Sequence, residues 1–215
     1  MRLRHVLVYL LATMLVAVLP EAASAQRPLD RFTYDNLGFH GIWPEIGILT
    51  SNRLEGTVSY GVRVDVGPFA PRLRTLVGIS YFRSDFKSQE ISEFENALRG
   101  VVSDPTNDFD IDLGGIRWSD IALELDLQYM LLPPGARYNP YLGAGAGMHL
   151  RNGSGQAING TFVEDALDML GAGVSATAGV DVMLGRALLL NLGGRAVFGS
   201  DLQTIGLTVG LGYRR

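Results

Sequence analysis

The sequence predicts an all-β chain in which eight antiparallel strands close into one barrel. Three features lead there. From Gly38 onward the hydrophobic period is two residues, not 3.6, and the connections between apolar segments alternate between short and long. Glycine supplies 27 of the 215 residues, about twice its usual ~7%. Composition removes other classes. Charged residues are 19%, hydrophobic residues 47% and the formal net charge is -4, which fits neither a disordered acidic chain nor a basic nucleic-acid binder. The chain has no cysteine, which rules out disulfide frameworks, Cys-ligated zinc or iron–sulfur sites, thiol catalysis and lipidation at an N-terminal Cys.

The first segment reads as an address. Met1-Arg-Leu-Arg-His5 is basic, Val6 to Leu19 is an apolar run of 14 broken only by Thr13, and Pro20 and Ala23-Ser24-Ala25 follow. That layout is a secretory signal peptide with cleavage after Ala25. The run is shorter than the ~20 residues that a spanning helix needs. The expected organisation is therefore a cleaved signal at 1–25, an N-terminal periplasmic segment at 26–37 and a barrel domain at 38–215. Cleavage removes Arg2, Arg4 and Glu21, leaving 16 basic and 21 acidic residues. No later segment approaches ~18 consecutive apolar residues, so helical membrane spans are excluded.

The strands follow in order. The first candidate is Ile42–Thr50, where Pro44 fits an edge or a strand start. In the second, Glu55, Thr57, Ser59, Gly61, Arg63 and Asp65 oppose Val58, Tyr60, Val62, Val64 and Val66. Leu73–Asp85 is the third. The clearest is the fourth: Ile121, Leu123, Leu125, Leu127, Tyr129 and Leu131 alternate with Ala122, Glu124, Asp126, Gln128 and Met130, and only a strand puts those sets on opposite faces. In the fifth, Gly143, Gly145, Gly147 and His149 oppose Leu142, Ala144, Ala146, Met148 and Leu150. In the sixth, Gly173, Ser175, Thr177, Gly179 and Asp181 oppose valines and alanines from Val174 to Val182. The seventh sets Asn191, Gly193 and Arg195 against Leu190, Leu192, Gly194 and Ala196. The eighth sets Thr204, Gly206, Thr208, Gly210 and Gly212 against Ile205, Leu207, Val209, Leu211 and Tyr213.

Short turns are expected at Gly67–Pro71, Pro133–Arg137 and Leu184–Ala187, and long excursions at Phe86–Arg117 and Arg151–Leu170. Short turns on one rim and long loops on the other are the pattern of a bacterial outer-membrane barrel. Ser92-Glu-Phe-Glu95 and Thr161-Phe-Val-Glu164 fit capping boxes, and Gly100 and Gly171 stand where a helix would stop.

Alternation does not say which face looks outward, and a soluble ligand-binding barrel would turn its apolar face inward. Three features favour lipid outside. Small residues on the polar face suit the crowded interior of an eight-stranded barrel. That face also carries Glu45, Glu55, Arg63, Asp65, Glu124, Asp126, Asp181 and Arg195, whose charges can pair in a narrow lumen but would be costly in lipid. Finally, strands of ~9–12 residues match a tilted span of hydrocarbon. The expectation is an eight-stranded antiparallel transmembrane β-barrel with short periplasmic turns and two long extracellular loops.

On these residues the chain resembles the small bacterial outer-membrane β-barrels, the OmpA-, OmpX- and OmpW-like transmembrane domains. The resemblance is carried by Asn139-Pro-Tyr-Leu-Gly-Ala-Gly-Ala-Gly-Met148, by Gly171-Ala-Gly-Val-Ser175 after the long loop, and by the closing Gly206-Leu-Thr-Val-Gly-Leu-Gly-Tyr213. It implies residence in the outer membrane, contact with outer-membrane lipid and lipopolysaccharide, and insertion by the outer-membrane assembly machinery. Such barrels usually end on an aromatic residue; here Tyr213 is followed by Arg214-Arg215.

Candidate chemistry is sparse. The mature chain has two histidines, His40 and His149, and no serine adjoins His149. Asp108-Phe-Asp-Ile-Asp112 opens like a calcium loop but has Leu113 and Ser119 where that loop needs glycine and glutamate. From Phe86 to Arg117 seven acidic residues stand against three basic ones, a solvated acidic surface suited to the divalent cations of lipopolysaccharide. Trp43, Trp118, Tyr60, Tyr81, Tyr129, Tyr141 and Tyr213 are candidates for an interfacial girdle, with Tyr141 placed by parity toward the lumen. The site expected is a structural ion-pair network of Glu45, Arg63, Asp65, Glu124, Asp126, Asp181 and Arg195, with Arg63 and Arg195 facing the carboxylates. No catalytic residue, cofactor, metal or nucleic-acid partner is expected, and a monomer is favoured. A structural or surface-interaction role leads; the alternatives are a narrow channel for small apolar solutes or ions, a lipid-A-modifying enzyme and a soluble periplasmic ligand-binding barrel.

Overall fold

In the computed structural model, residues 37–101, 114–133, 135–156 and 158–215 are described. The segments assigned to the signal peptide and to all but the last residue of the N-terminal region, and the Asp108–Asp112 run, lie outside them. Eight strands pair with their sequence neighbours in a closed ring: β1 (Gly41–Ser51), β2 (Thr57–Ala70), β3 (Leu73–Asp85), β4 (Arg117–Met130), β5 (Tyr138–Ser154), β6 (Met169–Met183), β7 (Leu188–Gly199) and β8 (Gln203–Arg214). Helix α1 (Ser88–Val101) lies between β3 and β4, and α2 (Phe162–Leu167) between β5 and β6. Antiparallel β1 and β8 close the ring, from Gly41 opposite Arg214 to Ser51 opposite Thr204. Closure leaves no open sheet edge, so the backbone needs no water to satisfy it.

Pro44 stands in the middle of β1. Its missing N–H is tolerated because the β1–β8 pairing skips Trp43 and Pro44, resuming at Glu45 opposite Gly210. The turn expected at Gly67–Pro71 is shorter than predicted. β2 continues to Ala70 through two register shifts after Asp65 and Pro68, and Gly67, at φ 100°, accommodates the bulge. Glu55 is not on the lumen face: it precedes β2 as an exposed loop residue whose N–H bonds Asp85 O at 2.9 Å.

Helix α1 begins five residues earlier than the Ser92 capping box implied, and Gly100 lies within it. The Ser92 hydroxyl instead donates to Ser88 O at 3.0 Å, one helical turn back. Thr161 does cap α2, its hydroxyl oxygen accepting from Val163 N. That helix stops at Leu167, before Gly171, because Gly171 is taken into β6 opposite His149.

The two faces of the wall differ sharply. On β4, Leu123 and Leu125 are 58% and 52% exposed, while Glu124 and Asp126 are 5% and 0% exposed. Charge therefore points into the ring and apolar surface points out. Tyr60 and Tyr81 pair across β2 and β3 toward the long-loop rim, and exposed Tyr129, Tyr138 and Tyr213 lie toward the short-turn rim. From Ile121, opposite Tyr81, to Tyr129 the strand runs about 27 Å, or about 20 Å along the axis at a ~40° tilt. Between these tyrosines the outward positions of the described strands carry no charged side chain. Trp43 and Trp118 are not part of a girdle; at 1% and 2% exposure they are packed inside, because they share parity with Glu45 and Glu124. No described helix is long and apolar enough to cross a membrane; the crossing is made by strands.

An arginine at the middle of the outer wall tests this orientation. Leu125→Arg should lower the unfolding free energy in lipid vesicles by about 2–4 kcal/mol, read from denaturant titration. An unchanged midpoint would contradict an outward-facing apolar wall.

Candidate functional site

The lumen is filled by polar side chains in stacked layers, and β4 supplies each of them. Its inward residues run Trp118, Asp120, Ala122, Glu124, Asp126 and Gln128, from the long-loop rim to the short-turn rim. Glycine on neighbouring strands makes the room. A Cβ at Gly78 would overlap the Arg63 guanidinium, and one at Gly145 would overlap Asp126 and Ser175.

The middle layer joins five of the seven expected network residues. Arg63 reaches Glu45 at 2.9 Å, Glu124 at 2.6 Å and Asp126 at 3.4 Å. Arg195 reaches Glu124 at 2.8 Å and Asp126 at 2.5 Å. Ser175 donates to Asp126 at 3.1 Å. Two guanidiniums thus bind three carboxylates, with Arg63 only 3% exposed. Buried charges are sustained only with such mutual satisfaction.

Asp65 and Asp181 do not join Arg63 or Arg195. They form a lower layer around two arginines absent from the expected network, Arg74 and Arg214. Arg74 meets Asp181 at 2.5 Å and Asp65 at 3.9 Å, while Arg214 meets Asp181 at 3.0 Å and Asp65 at 3.5 Å. Gln128 accepts from Arg74 Nε and Nη2 at 3.0 and 2.7 Å. Asn191 donates to Asp181 at 2.7 Å and to the Tyr141 hydroxyl at 3.1 Å. The Arg74 guanidinium also lies 5.5 Å from the Trp43 ring centroid and 5.2 Å from that of Tyr141, a cation–π arrangement in a desolvated site.

An upper layer was also missed as a unit. Asp120 accepts from His149 Nδ1 at 3.1 Å and from Arg151 Nε at 2.9 Å, and Arg151 lies 5.5 Å from the Trp118 ring. His149 is buried, and among the described residues no serine or threonine hydroxyl hydrogen-bonds it. Among the described residues no group of three or more His, Asp or Glu is arranged to hold a metal.

An apolar plug covers the upper layer. Leu54, Phe82, Trp118 and Leu202 are buried together, with Leu49, Phe86, Leu167 and Met169 against them. The Trp118 Nε1 bond to Leu167 O, at 2.9 Å, ties the plug to the end of α2. Above it, Ile116, Ile158 and Val163 pack with Ile91 and Phe94 of α1. Each large apolar side chain buried here contributes about 1.5–3 kcal/mol. Below the plug the lumen keeps a space of about 20 Å³ beside Trp43 and Thr177, whose Nε1 and Oγ1 have no protein partner. That is room for about one water.

Apolar wall, tyrosine girdles and a charge-packed core define a transmembrane β-barrel of the outer-membrane type. Solved structures share that fold. Neisserial surface protein A is 12% identical, with 81% of this chain and 96% of that one covered at a TM-score of 0.52. The outer membrane protein OprG from Pseudomonas aeruginosa is 13% identical, with 84% and 97% covered at a TM-score of 0.54. At such identities the likeness is one of fold. No protein-family profile and no curated protein matches the chain.

Removing one cation from the middle layer leaves three carboxylates around a hole. Arg63→Met should destabilise the barrel by about 3–5 kcal/mol, and adding Glu124→Gln should restore part of the loss. Equal stability of Arg63→Met and wild type in vesicle unfolding would show that the layer contributes nothing.

Proposed function

We propose that this protein is an integral outer-membrane barrel with a non-enzymatic, structural and surface-interaction role. The observation that carries this reading is the sealed interior. Three ion-paired layers and an apolar plug fill the lumen of the described residues, which favours a display scaffold over a conduit. With short turns periplasmic and long loops outside, α1 and α2 stand at the cell surface. Their positions are fixed by the plug, by the 2.6 Å Arg53–Glu90 pair and by Lys87 Nζ donating to Ser51 O at 2.8 Å. The exposed charges there lean acidic, with Glu55, Asp85, Glu93 and Asp168 among them. Such a surface suits the divalent cations that bridge lipopolysaccharide phosphates. The N-terminal signal pattern supports export, and outward-facing Tyr213 near the end of β8 is available to the assembly machinery.

Purified protein in planar bilayers should give no large, sustained conductance steps; such steps would replace the scaffold reading with a channel. Lipid-A mass spectra should be identical in cells with and without the protein. A defined mass change in the lipid would establish an enzyme instead.

A further inference from the structure

The short-turn rim holds a feature that the sealed lumen does not use: a basin of about 490 Å³. Its floor is the lower ion layer. Arg72 on the β2–β3 turn, Arg186 on the β6–β7 turn and Arg215 after β8 line its rim. In a ring of eight strands paired in sequence order those two turns lie on opposite sides, so cations face the barrel axis from both.

The charge is lopsided. Five arginine side chains line the basin against two carboxylates, Asp65 and Asp181. Both carboxylates are 1% exposed and are already engaged by Arg74 and Arg214. The floor is thus internally paired. Arg72, Arg186 and Arg215 are exposed and, among the described residues, have no ion-pair partner. Arg72 is also the one described non-glycine residue at positive φ, 65°, a conformation where glycine or asparagine is ordinary. The opposite rim leans acidic, so the excess of positive charge belongs to this end.

We propose that this basin is a binding site for a phosphate group, held by the forked guanidiniums of Arg72 and Arg186 above the paired floor. Guanidinium planes match phosphate oxygens bidentately, and low-dielectric walls strengthen the attraction. The volume admits a diphosphate or a small phosphorylated solute. The phosphate comes either from a periplasmic solute or from a lipid headgroup of the adjoining leaflet. Which compartment the basin faces rests on the function proposed above; the binding itself does not.

Calorimetric titration of the folded full-length barrel with pyrophosphate, at constant ionic strength in chloride, tests this. In phosphatidylcholine nanodiscs wild type should bind saturably. Arg72→Ala/Arg186→Ala should weaken binding at least tenfold, and the charge-conserving Arg72→Lys/Arg186→Lys should weaken it several-fold. The heat-modifiable gel shift verifies that the variants are folded, and Arg83→Ala at the far rim should bind as wild type does. Repeating the titration in nanodiscs carrying phosphatidylglycerol or, at matched surface charge, the phosphate-free anion oleate separates the sources. Equal binding in the two identifies a soluble phosphate, and loss with phosphatidylglycerol alone identifies the lipid headgroup. No saturable binding in phosphatidylcholine, or equal binding by wild type and the double alanine variant, overturns the site. If binding held while the protein fractionated outside the outer membrane, only the compartment would change.

Discussion

A ring of eight strands has an interior just wide enough for side chains, and in this chain that interior is charged. Almost every other property follows from the need to satisfy those charges without bulk water. Glycine is placed where a guanidinium or carboxylate must lie over the neighbouring strand, as at Gly78 opposite Arg63 and Gly145 opposite Asp126. Arginine supplies every full cation in the described lumen, because its fork can serve two or three acceptors at once, as Arg63 does with Glu45, Glu124 and Asp126. The apolar plug then keeps water from the long-loop side away from the ion pairs.

Much of this was legible in the sequence because a strand's two faces are written in alternate residues. β4 declares itself through Leu123 and Leu125 against Glu124 and Asp126, and the same parity places Arg63 and Arg195 inward. Arg214 and the two tryptophans were legible as well. Arg214 shares parity with Gly206, Gly210 and Gly212, Trp43 with Glu45, and Trp118 with Glu124. The tryptophans are assigned to a girdle because tryptophan suggests an interface, while Arg214 is simply not counted in the expected network. Composition outweighed position.

Arg74 is a different case. β3 presents Arg74, Leu76, Gly78, Ser80, Phe82 and Ser84 on one face and Leu73, Thr75, Val77, Ile79, Tyr81, Arg83 and Asp85 on the other. Both sets mix apolar and charged residues, so no contrast marks the lumen side. Only pairing fixes it, with Arg74 opposite Gln128 and Gly78 opposite Glu124. Helix α1 was misplaced for a related reason: a serine followed by glutamate occurs inside helices as well as at their starts, and Ser92 takes the internal role. The division of charges into separate layers depends on height along the axis, which the strand pattern does not encode.

The placement of all inward charges of β4 on one strand, with their partners elsewhere, bears on how the chain reaches its final state. Asp126 finds Arg63 across 63 residues and Arg195 across 69, and Arg74 finds Asp181 across 107. Hairpins of neighbouring strands neutralise only part of the charge, Glu45 meeting Arg63 across β1–β2 and Asp120 meeting Arg151 across β4–β5. A half-built sheet would carry bare charge on the side that must end up dry, so partial insertion into a bilayer is penalised. Neutralisation is complete only when β6, β7 and β8 bring Asp181, Arg195 and Arg214 to the earlier strands. Ring closure therefore completes the charge cancellation, and long-range contacts of this kind make that step slow.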